Sequence, residues 1–182
     1  MNIIIVKNLR ICRNTEKITK FAEIEKNYTT VGLEIERKFI AKYDFDYSAI
    51  SESVTEICQG YLSNNPDATV RVRISGEKAF LTVKGRNQGM TRKEWEYAIP
   101  LEDAREMLEL AVSGRIEKTR LRIPFKNLIW EVDVFHGALD GLVLAEVELD
   151  SETEDVSLPA FIVREVTGNP EYYNSNLSSR IP

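Results

Sequence analysis

The sequence has little of the residue types on which several common functional sites depend. Its 182 residues include one histidine and two cysteines. Because His136 stands alone, a HExxH zinc site cannot form, and a histidine-based catalytic triad has only one candidate. Cys12 and Cys58 provide neither a disulfide framework nor a metal-ligand spacing. This low use of cysteine fits a reducing compartment, and we therefore expect a cytoplasmic protein.

Long hydrophobic runs and a net positive charge are also lacking. No apolar run is long enough to span a bilayer, and the opening run at residues 3–6 is too short for a signal peptide. The net charge of -5 argues against broad electrostatic binding to nucleic acid or membranes. A GxxxxGK[ST] motif is missing, so a P-loop does not supply a phosphate site. The composition, 43% hydrophobic and 29% charged, predicts one globular domain.

The first thirty residues differ from the remainder of the chain. Their apolar residues are scattered, and the stretch 16–26 carries mixed charge. We assign residues 1–30 to an N-terminal extension and residues 31–182 to the domain. An alternative is that translation begins near Val31. We assign the extension no function.

Hydrophobic periodicity predicts a mainly β protein of the α+β class. Alternation of apolar and polar residues indicates strands at 33–40, 59–62, 69–74, 79–84, 91–99, 116–123, 128–135 and 142–149. Capping and turn residues indicate helices at 48–59, 101–112, 157–166 and 172–179. About eight strands joined mostly by short turns predict one antiparallel sheet, closed or nearly closed into a barrel.

The most informative segment is the first predicted strand. Glu34, Glu36 and Lys38 share one of its faces, opposite Leu33 and Phe39. Two carboxylates one strand repeat apart can bind one hard cation, and the lysine can hold an anion bound to that cation. For this segment alone, a charged strand face in contact with water is the simpler interpretation.

Nearly every other predicted strand repeats this pattern of charges at alternate positions. Two architectures explain it: charges on the outside of an apolar barrel, or charges lining a polar interior with helices covering an apolar outside. Carboxylates concentrate on the first and the last two strands, and cations on the strands between them. An acidic wall facing a basic wall suits a polyanion bridged to the carboxylates by a divalent metal. Oxygen ligands favour Mg²⁺ or Mn²⁺ over zinc or copper, and arginine suits phosphate oxygens.

The ordered motifs carry a family resemblance. They are EIERKF (34–39), QGYL (59–62), RVR (71–73), TVKG (82–85), EKTR (117–120), EVDVF (131–135) and EVE (146–148). The first resembles the ExExK signature of the CYTH, or triphosphate tunnel metalloenzyme, superfamily, and the others follow in family order. The set is most similar to the short bacterial inorganic triphosphatases. The resemblance implies an eight-stranded antiparallel closed barrel, with helices outside, that binds a triphosphate in its interior.

The resemblance also implies roles for individual residues. Metal ligands for Mg²⁺ or Mn²⁺ would be Glu34, Glu36, Glu146 and Glu148, with Asp133 a further candidate. Phosphates would be bound by Lys38, Arg71, Arg73, Lys84, Lys118 and Arg120. Lys118 and Tyr61 would activate the attacking water, although an aromatic residue packed near the tunnel mouth is the alternative for Tyr61.

Two neighbouring positions keep a structural alternative. Arg92 is placed with the substrate-binding residues, but an ion pair with Glu94 across the tunnel is its alternative role. For Glu96 a structural ion pair is preferred. The C-terminal YYNS segment (172–175) departs from the lysine-rich stretch often found in the family, which puts a basic lid in doubt.

The expected activity is metal-dependent hydrolysis of triphosphates, with inorganic tripolyphosphate as the preferred substrate. Alternatives are a class IV adenylate cyclase, a thiamine triphosphatase, and a non-catalytic sensor that binds polyphosphate or nucleotide. The expected partner is a small triphosphate, without nucleic acid or membrane, and a homodimer is left open.

Overall fold

The computed structural model describes residues 28–182, with side chains described from Glu34 onward, so most of the predicted extension lies outside the described residues. The strands are β1 (Tyr28–Ala41), β2 (Ser53–Asn65), β3 (Ala68–Ser75), β4 (Lys78–Gly85), β5 (Thr91–Ile99), β6 (Ile116–Phe125), β7 (Leu128–Phe135), β8 (Val143–Glu148) and β9 (Ile162–Glu165). The α-helices in this part of the chain are α1 (Leu101–Leu108) and α2 (Asn174–Ser178). Short 3-10 helices cover Ser48–Ile50, Gly137–Leu139 and Pro170–Tyr172. Within residues 28–182, no helix has the length and apolar character needed to cross a bilayer.

The strands close into an antiparallel barrel because β1 is long enough to pair with two strands. The order is β5-β4-β3-β2-β6-β7-β8-β1, with a further pairing of β1 to β5. Residues 28–35 of β1 pair with β5, and residues 36–40 pair with β8. Strand β9 adds to the last residues of β1 outside the eight-stranded closure. The predicted eight-stranded closed barrel is therefore confirmed.

Charged side chains line the interior of the barrel, as in the second of the two predicted architectures. Phe39 and Trp130 lie on the strand faces that point away from the interior. They are fully buried in an apolar cluster outside the barrel wall, which also contains Phe161. Helix α1 covers β2, β3 and β4, using Ala104 and Leu108. The apolar strand faces are thus buried under loops and α1, and the interior is left for polar groups.

One end of the interior is apolar. Ile116, Phe135, Leu144 and the α2 residue Leu177 form a buried cluster, with Ile40 packed against it. The four strand residues lie one strand repeat from charged interior residues, which are Lys118, Asp133, Glu146 and Lys38. Because side chains two residues apart share a strand face, this apolar cluster forms a layer next to the charged one. It removes part of the charged layer from water.

Two of the predicted helices are wrong. Residues 48–59 contain only a 3-10 turn followed by the first half of β2, which pairs with both β3 and β6. The β-branched residues Val54, Thr55 and Ile57 favour a strand. Pairing within the closed barrel stabilises the strand more than serine caps would stabilise a helix. Residues 157–166 contain β9 instead of a helix, because Phe161 anchors this segment in the apolar cluster beside β1.

The remaining elements follow the prediction closely. Strands β5 and β7 have the predicted bounds, and the β3–β4 hairpin is present. Helix α1 begins at the predicted Leu101 but ends at Leu108, short of residue 112. His136 follows β7 outside any regular element, as its neighbour Gly137 indicates.

Candidate active site

A charged cavity of about 1100 Å³ occupies the barrel interior. Eleven of the thirteen residues proposed from the sequence line it: Glu34, Glu36, Lys38, Tyr61, Arg71, Arg73, Lys84, Arg92, Arg120, Glu146 and Glu148. The other two, Lys118 and Asp133, are not part of the cavity lining. The structure therefore brings together residues that are spread over more than 110 positions of the sequence.

Strand pairing builds the acidic wall. In the register of β1 and β8, Glu36 lies opposite Glu148 and Lys38 lies opposite Glu146. In the register of β7 and β8, Glu131 lies opposite Glu146. Because paired residues project from the same face of a sheet, these carboxylates face the interior together. The predicted concentration of carboxylates on the first and last strands becomes one continuous surface.

Cations from the adjacent strand β5 and from β4 beside it neutralise the carboxylates of β1. Lys84 Nζ lies 3.0 Å from Glu34 Oε1, and Arg92 Nε lies 2.6 Å from Glu34 Oε2. Arg92 Nη2 also lies 3.2 Å from Glu36 Oε1. The alternative pairing of Arg92 with Glu94 is not the one observed, since Glu94 pairs with Lys84 at 2.7 Å. Burial raises the pKa of Glu34, but Lys84 and Arg92 outweigh burial and keep that pKa far below its usual value.

Glu146 is held between two cations. Its Oε1 lies 2.7 Å from Lys38 Nζ, and its Oε2 lies 3.1 Å from Arg120 Nη2. Burial raises the pKa of Glu146, yet the two cations lower it well below its usual value. Glu146 is thus ionised. This proposed metal ligand is in direct contact with two residues that are proposed to bind phosphate.

Glu148 differs from the other proposed metal ligands. No cation in the described part of the chain lies within ion-pair distance of it. Burial raises its pKa, and the nearby carboxylates of Glu34 and Glu131 raise it further. Glu148 is exposed, and its carboxylate has no ion-pair partner among the described residues, so it is available to bind a cation.

Beside the cavity, Lys118, Asp133 and Arg120 form a buried ion-pair network. Lys118 and Asp133 are each 1% exposed, and the Lys118 ammonium donates to Asp133 Oδ2. Arg120 donates two hydrogen bonds of 2.7 Å to the same carboxylate, from Nε to Oδ1 and from Nη2 to Oδ2. Burial lowers the pKa of Lys118 to about 8. The Asp133 carboxylate opposes this shift, and the positive charge of Arg120 adds to it. Burial is the main cause of the lowered pKa, and Arg120 is a smaller cause.

The basic wall centres on Arg71 and Arg73 of β3. Their Nη2 atoms lie 3.4 Å and 2.9 Å from Glu96 Oε2, and Thr82 donates to the same oxygen at 2.7 Å. Glu96 therefore has the structural ion-pair role preferred for it. Burial, and then Arg71, lowers the pKa of Arg73 to about 10.

Tyr61 lies on the cavity wall, opposite Arg71 in the register of β2 and β3. It is buried, and burial raises the pKa of its hydroxyl group. The structure thus places Tyr61 at the cavity and Lys118 beneath its wall.

One part of the cavity wall could not be inferred from strand patterns. Residues 173–176, which include the start of α2, contribute neutral polar groups to the lining. This segment has no strand alternation from which an inward face could be inferred. The YYNS departure was its only signal in the sequence.

The metal-binding capacity of the cavity rests on carboxylate oxygens. Among residues 28–182, no three His, Cys, Asp or Glu side chains are already gathered at one point as a metal site. The carboxylates of Glu34, Glu36 and Glu146 are bound to cations, whereas Glu148 is not. An oxygen-only donor set that includes the unpaired carboxylate of Glu148 fits a hard divalent cation.

Comparison with known proteins identifies the family. The profile of the CYTH domain matches residues 32–179. A protein named inorganic triphosphatase from Acetivibrio thermocellus is 46% identical over 148 residues, which are 81% of this chain and 94% of that protein. Another of the same name from Nitrosomonas europaea is 37% identical over 157 residues, or 82% and 99% of the two chains. A crystal structure of an inorganic triphosphatase matches with a TM-score of 0.60 at 32% identity, covering 82% of this chain and 99% of that one. The chain therefore belongs to the CYTH domain family.

Proposed function

We propose that this protein is a metal-dependent triphosphatase that hydrolyses inorganic tripolyphosphate to pyrophosphate and phosphate inside the barrel. The observation that carries the proposal is the cavity itself, which cations and carboxylates from all sides of the barrel line together. The names of the two relatives from Acetivibrio thermocellus and Nitrosomonas europaea support the same activity.

The substrate would be bound by the cations of the cavity. These are Lys38, Arg71, Arg73, Lys84, Arg92 and Arg120, all of which now pair with carboxylates. A triphosphate offers the same kind of anionic oxygen, and arginine can bind it with two parallel bonds. Phosphate oxygens would therefore replace carboxylate oxygens around these side chains.

The carboxylates released in this exchange would hold Mg²⁺ or Mn²⁺. Glu34, Glu36, Glu146 and Glu148 are the proposed ligands, with Glu148 already free of cations. When bound, the metal would supply positive charge to the phosphoryl oxygens during the reaction. Asp133 remains a further candidate by resemblance, but both its oxygens accept hydrogen bonds from Lys118 and Arg120. We therefore favour a structural role for it.

In the proposed reaction, a water oxygen attacks a terminal phosphorus atom in line with the bridging oxygen. The bond from this phosphorus to the bridging oxygen breaks, pyrophosphate leaves, and the water gives up one proton. Tyr61, on the cavity wall, would orient the water. Lys118 would accept the proton in its neutral form, which its lowered pKa makes accessible. Because Lys118 lies beneath the wall, this role requires that its side chain or a bridging water reach the cavity.

The proposal extends to the location, the domain bounds and the association of the protein. Low cysteine use supports a reducing cytoplasm. We propose residues 31–182 as the catalytic domain and residues 1–30 as an extension, although β1 already begins at Tyr28. A second copy of the chain is the proposed protein partner, and sedimentation analysis would measure its association.

Phosphate release from tripolyphosphate, ATP and thiamine triphosphate tests the proposal. Each substrate is assayed with Mg²⁺, with Mn²⁺ and with EDTA, and the ATP reactions are also assayed for cyclic AMP. We expect fast, EDTA-sensitive release from tripolyphosphate and slow release from the others. Cyclic AMP with pyrophosphate would instead indicate a cyclase, and tight binding without turnover would indicate a sensor.

Two lysines of β4 provide a matched pair of variants for this assay. Lys84 lines the cavity, whereas Lys78 is exposed at the start of the same strand. We expect Lys84→Gln to reduce kcat/KM and Lys78→Gln to leave it unchanged. Equal rates for the two variants would place the reaction outside the cavity.

A further inference from the structure

Unpaired buried polar atoms are concentrated at one place in the barrel. Among the described residues, seven buried side-chain nitrogen or oxygen atoms lack a hydrogen-bond partner within the protein. Four of them belong to three residues that lie close together in the register of β2 and β3: both amide atoms of Gln59 and the Nε atoms of Arg71 and Arg73. Because buried polar groups are nearly always paired, this concentration indicates a site where another molecule binds.

Gln59 points into the barrel next to Arg73. The two residues are opposite each other in the register of β2 and β3, so their side chains project from the same face. The next residue, Gly60, faces α1, where a Cβ atom would lie 3.1 Å from Leu108 Cδ2. Gln59 is 0% exposed and is not part of the cavity lining, whereas Arg73 is. The amide therefore lies beneath the cavity wall, on the strand next to Arg73.

The hydrogen-bonding capacity of the unpaired atoms determines which kind of molecule can pair with them. The amide of Gln59 offers a donor and an acceptor, and Arg73 Nε offers only a donor. An ionised phosphate oxygen accepts and does not donate, and a metal ion satisfies oxygen atoms alone. Water both donates and accepts, and buried waters commonly bridge such groups.

We propose that Gln59 holds an ordered water against the Nε edge of Arg73 and so acts as a positioning residue for that guanidinium. The inference rests on the proposed triphosphatase function, in which Arg73 binds phosphate. Glu96 holds Arg73 at Nη2 through bonds of 2.9 and 3.0 Å. The water holds it at Nε, so the guanidinium is fixed at two edges and its remaining N–H groups face the cavity.

Crystal structures of the substrate-free protein and of its Gln59→Leu variant test the inference directly. We expect a water within hydrogen-bond distance of the Gln59 amide and of Arg73 Nε in the natural protein, and its loss in the variant. In tripolyphosphate hydrolysis, the variant should show a KM raised by about tenfold, with kcat within about twofold of the natural value. The matched control is Gln88→Leu, since Gln88 is exposed and is the only other glutamine.

Several results would overturn the inference. One is a natural protein with no water at this position, and another is a folded Gln59→Leu variant with an unchanged KM. If Gln59→Leu does not fold, Gln59→Glu takes its place: its carboxylate should bind Arg73 directly, displace the water and raise KM, and an unchanged KM would again contradict the inference. A natural protein inactive on every triphosphate would refute the proposed function, while the water would still be tested by the crystal structure.

Discussion

Arg120 and Asp133 form a two-bond ion pair across β6 and β7. Arg120 Nε lies 2.7 Å from Asp133 Oδ1, and Arg120 Nη2 lies 2.7 Å from Asp133 Oδ2. Lys118 donates to the same carboxylate, which is 1% exposed. Asp133 thus neutralises both Lys118 and Arg120, which supports the structural role proposed for it.

Asp133→Asn should destabilise the fold. Its removal leaves the charges of Lys118 and Arg120 without their buried partner, and breaking such a pair costs about 3–5 kcal/mol. The control is Glu131→Gln, which removes another carboxylate bound to Arg120. Because the Glu131 side chain is 36% exposed, its loss should cost less than about 1 kcal/mol. Urea denaturation with EDTA present measures both variants, and a stable Asp133→Asn variant that lost only metal activation would restore the metal-binding role.

Glu148→Gln should separate metal binding from folding. The pKa of Glu148 is raised in the folded protein, so its ionised form at pH 7 opposes folding, and the substitution should raise Tm in EDTA. With Mg²⁺ or Mn²⁺ the natural protein should gain about 2.7 kcal/mol at a concentration 100 times Kd, and the variant less. Thermal unfolding with and without the cation measures the difference. Glu102→Gln, on the exposed surface of α1, is the control, and equal gains in all three proteins would count against Glu148 as a ligand.

Lys118→Ala should remove one limb of the pH–rate profile. The neutral amine is the form that accepts a proton, and the pKa of Lys118 is lowered to about 8. In the natural protein kcat/KM should therefore rise with pH around a midpoint near 8. The variant should lose this rise and lower kcat by about 10²-fold or more. Full turnover of Lys118→Ala at saturating substrate and metal would exclude Lys118 as the base.

The same residue has a signature in stability. Its folded pKa lies below the usual 10.5, so between about pH 8 and 10.5 the unfolded chain binds more protons than the folded one. The free energy of unfolding should rise with pH across this window in the natural protein relative to Lys118→Ala. Denaturation curves at pH 7 and pH 10 provide the comparison.

Arg71→Gln should weaken substrate binding more than it slows the reaction. A hydrogen bond to a charged group contributes about 1.5–3 kcal/mol, which corresponds to a rise in KM of about 10- to 100-fold. Glu96 keeps its ion pair with Arg73, so the fold should be retained. Steady-state kinetics with tripolyphosphate checks the result, with Arg105→Gln on α1 as the control. If both variants had the same KM, Arg71 would not contact the substrate.

Much of the site was predictable because a strand has a strict two-residue period. Glu34, Glu36 and Lys38 had to share one face, and the same rule placed Arg71 with Arg73 and Glu146 with Glu148. Helix 48–59 was a wrong prediction because β2 owes its conformation to pairing with β3 and β6. Neither partner can be identified from the residues of β2 alone.

The sequence by itself determined that charged and apolar side chains occupy opposite faces of nearly every strand. It also determined, through the order of its motifs, the resemblance to the CYTH family. Only the tertiary structure decided which charges meet, because the pairs Arg92–Glu34 and Lys38–Glu146 join strands distant in the chain. It also decided that Lys118 lies beneath the cavity wall, since the apolar layer formed with Leu177 exists only after the barrel closes. The alternation of polar and apolar residues shows which face of a strand a residue occupies. How deep the residue lies in the closed barrel depends on the register between strands, which the alternation does not give.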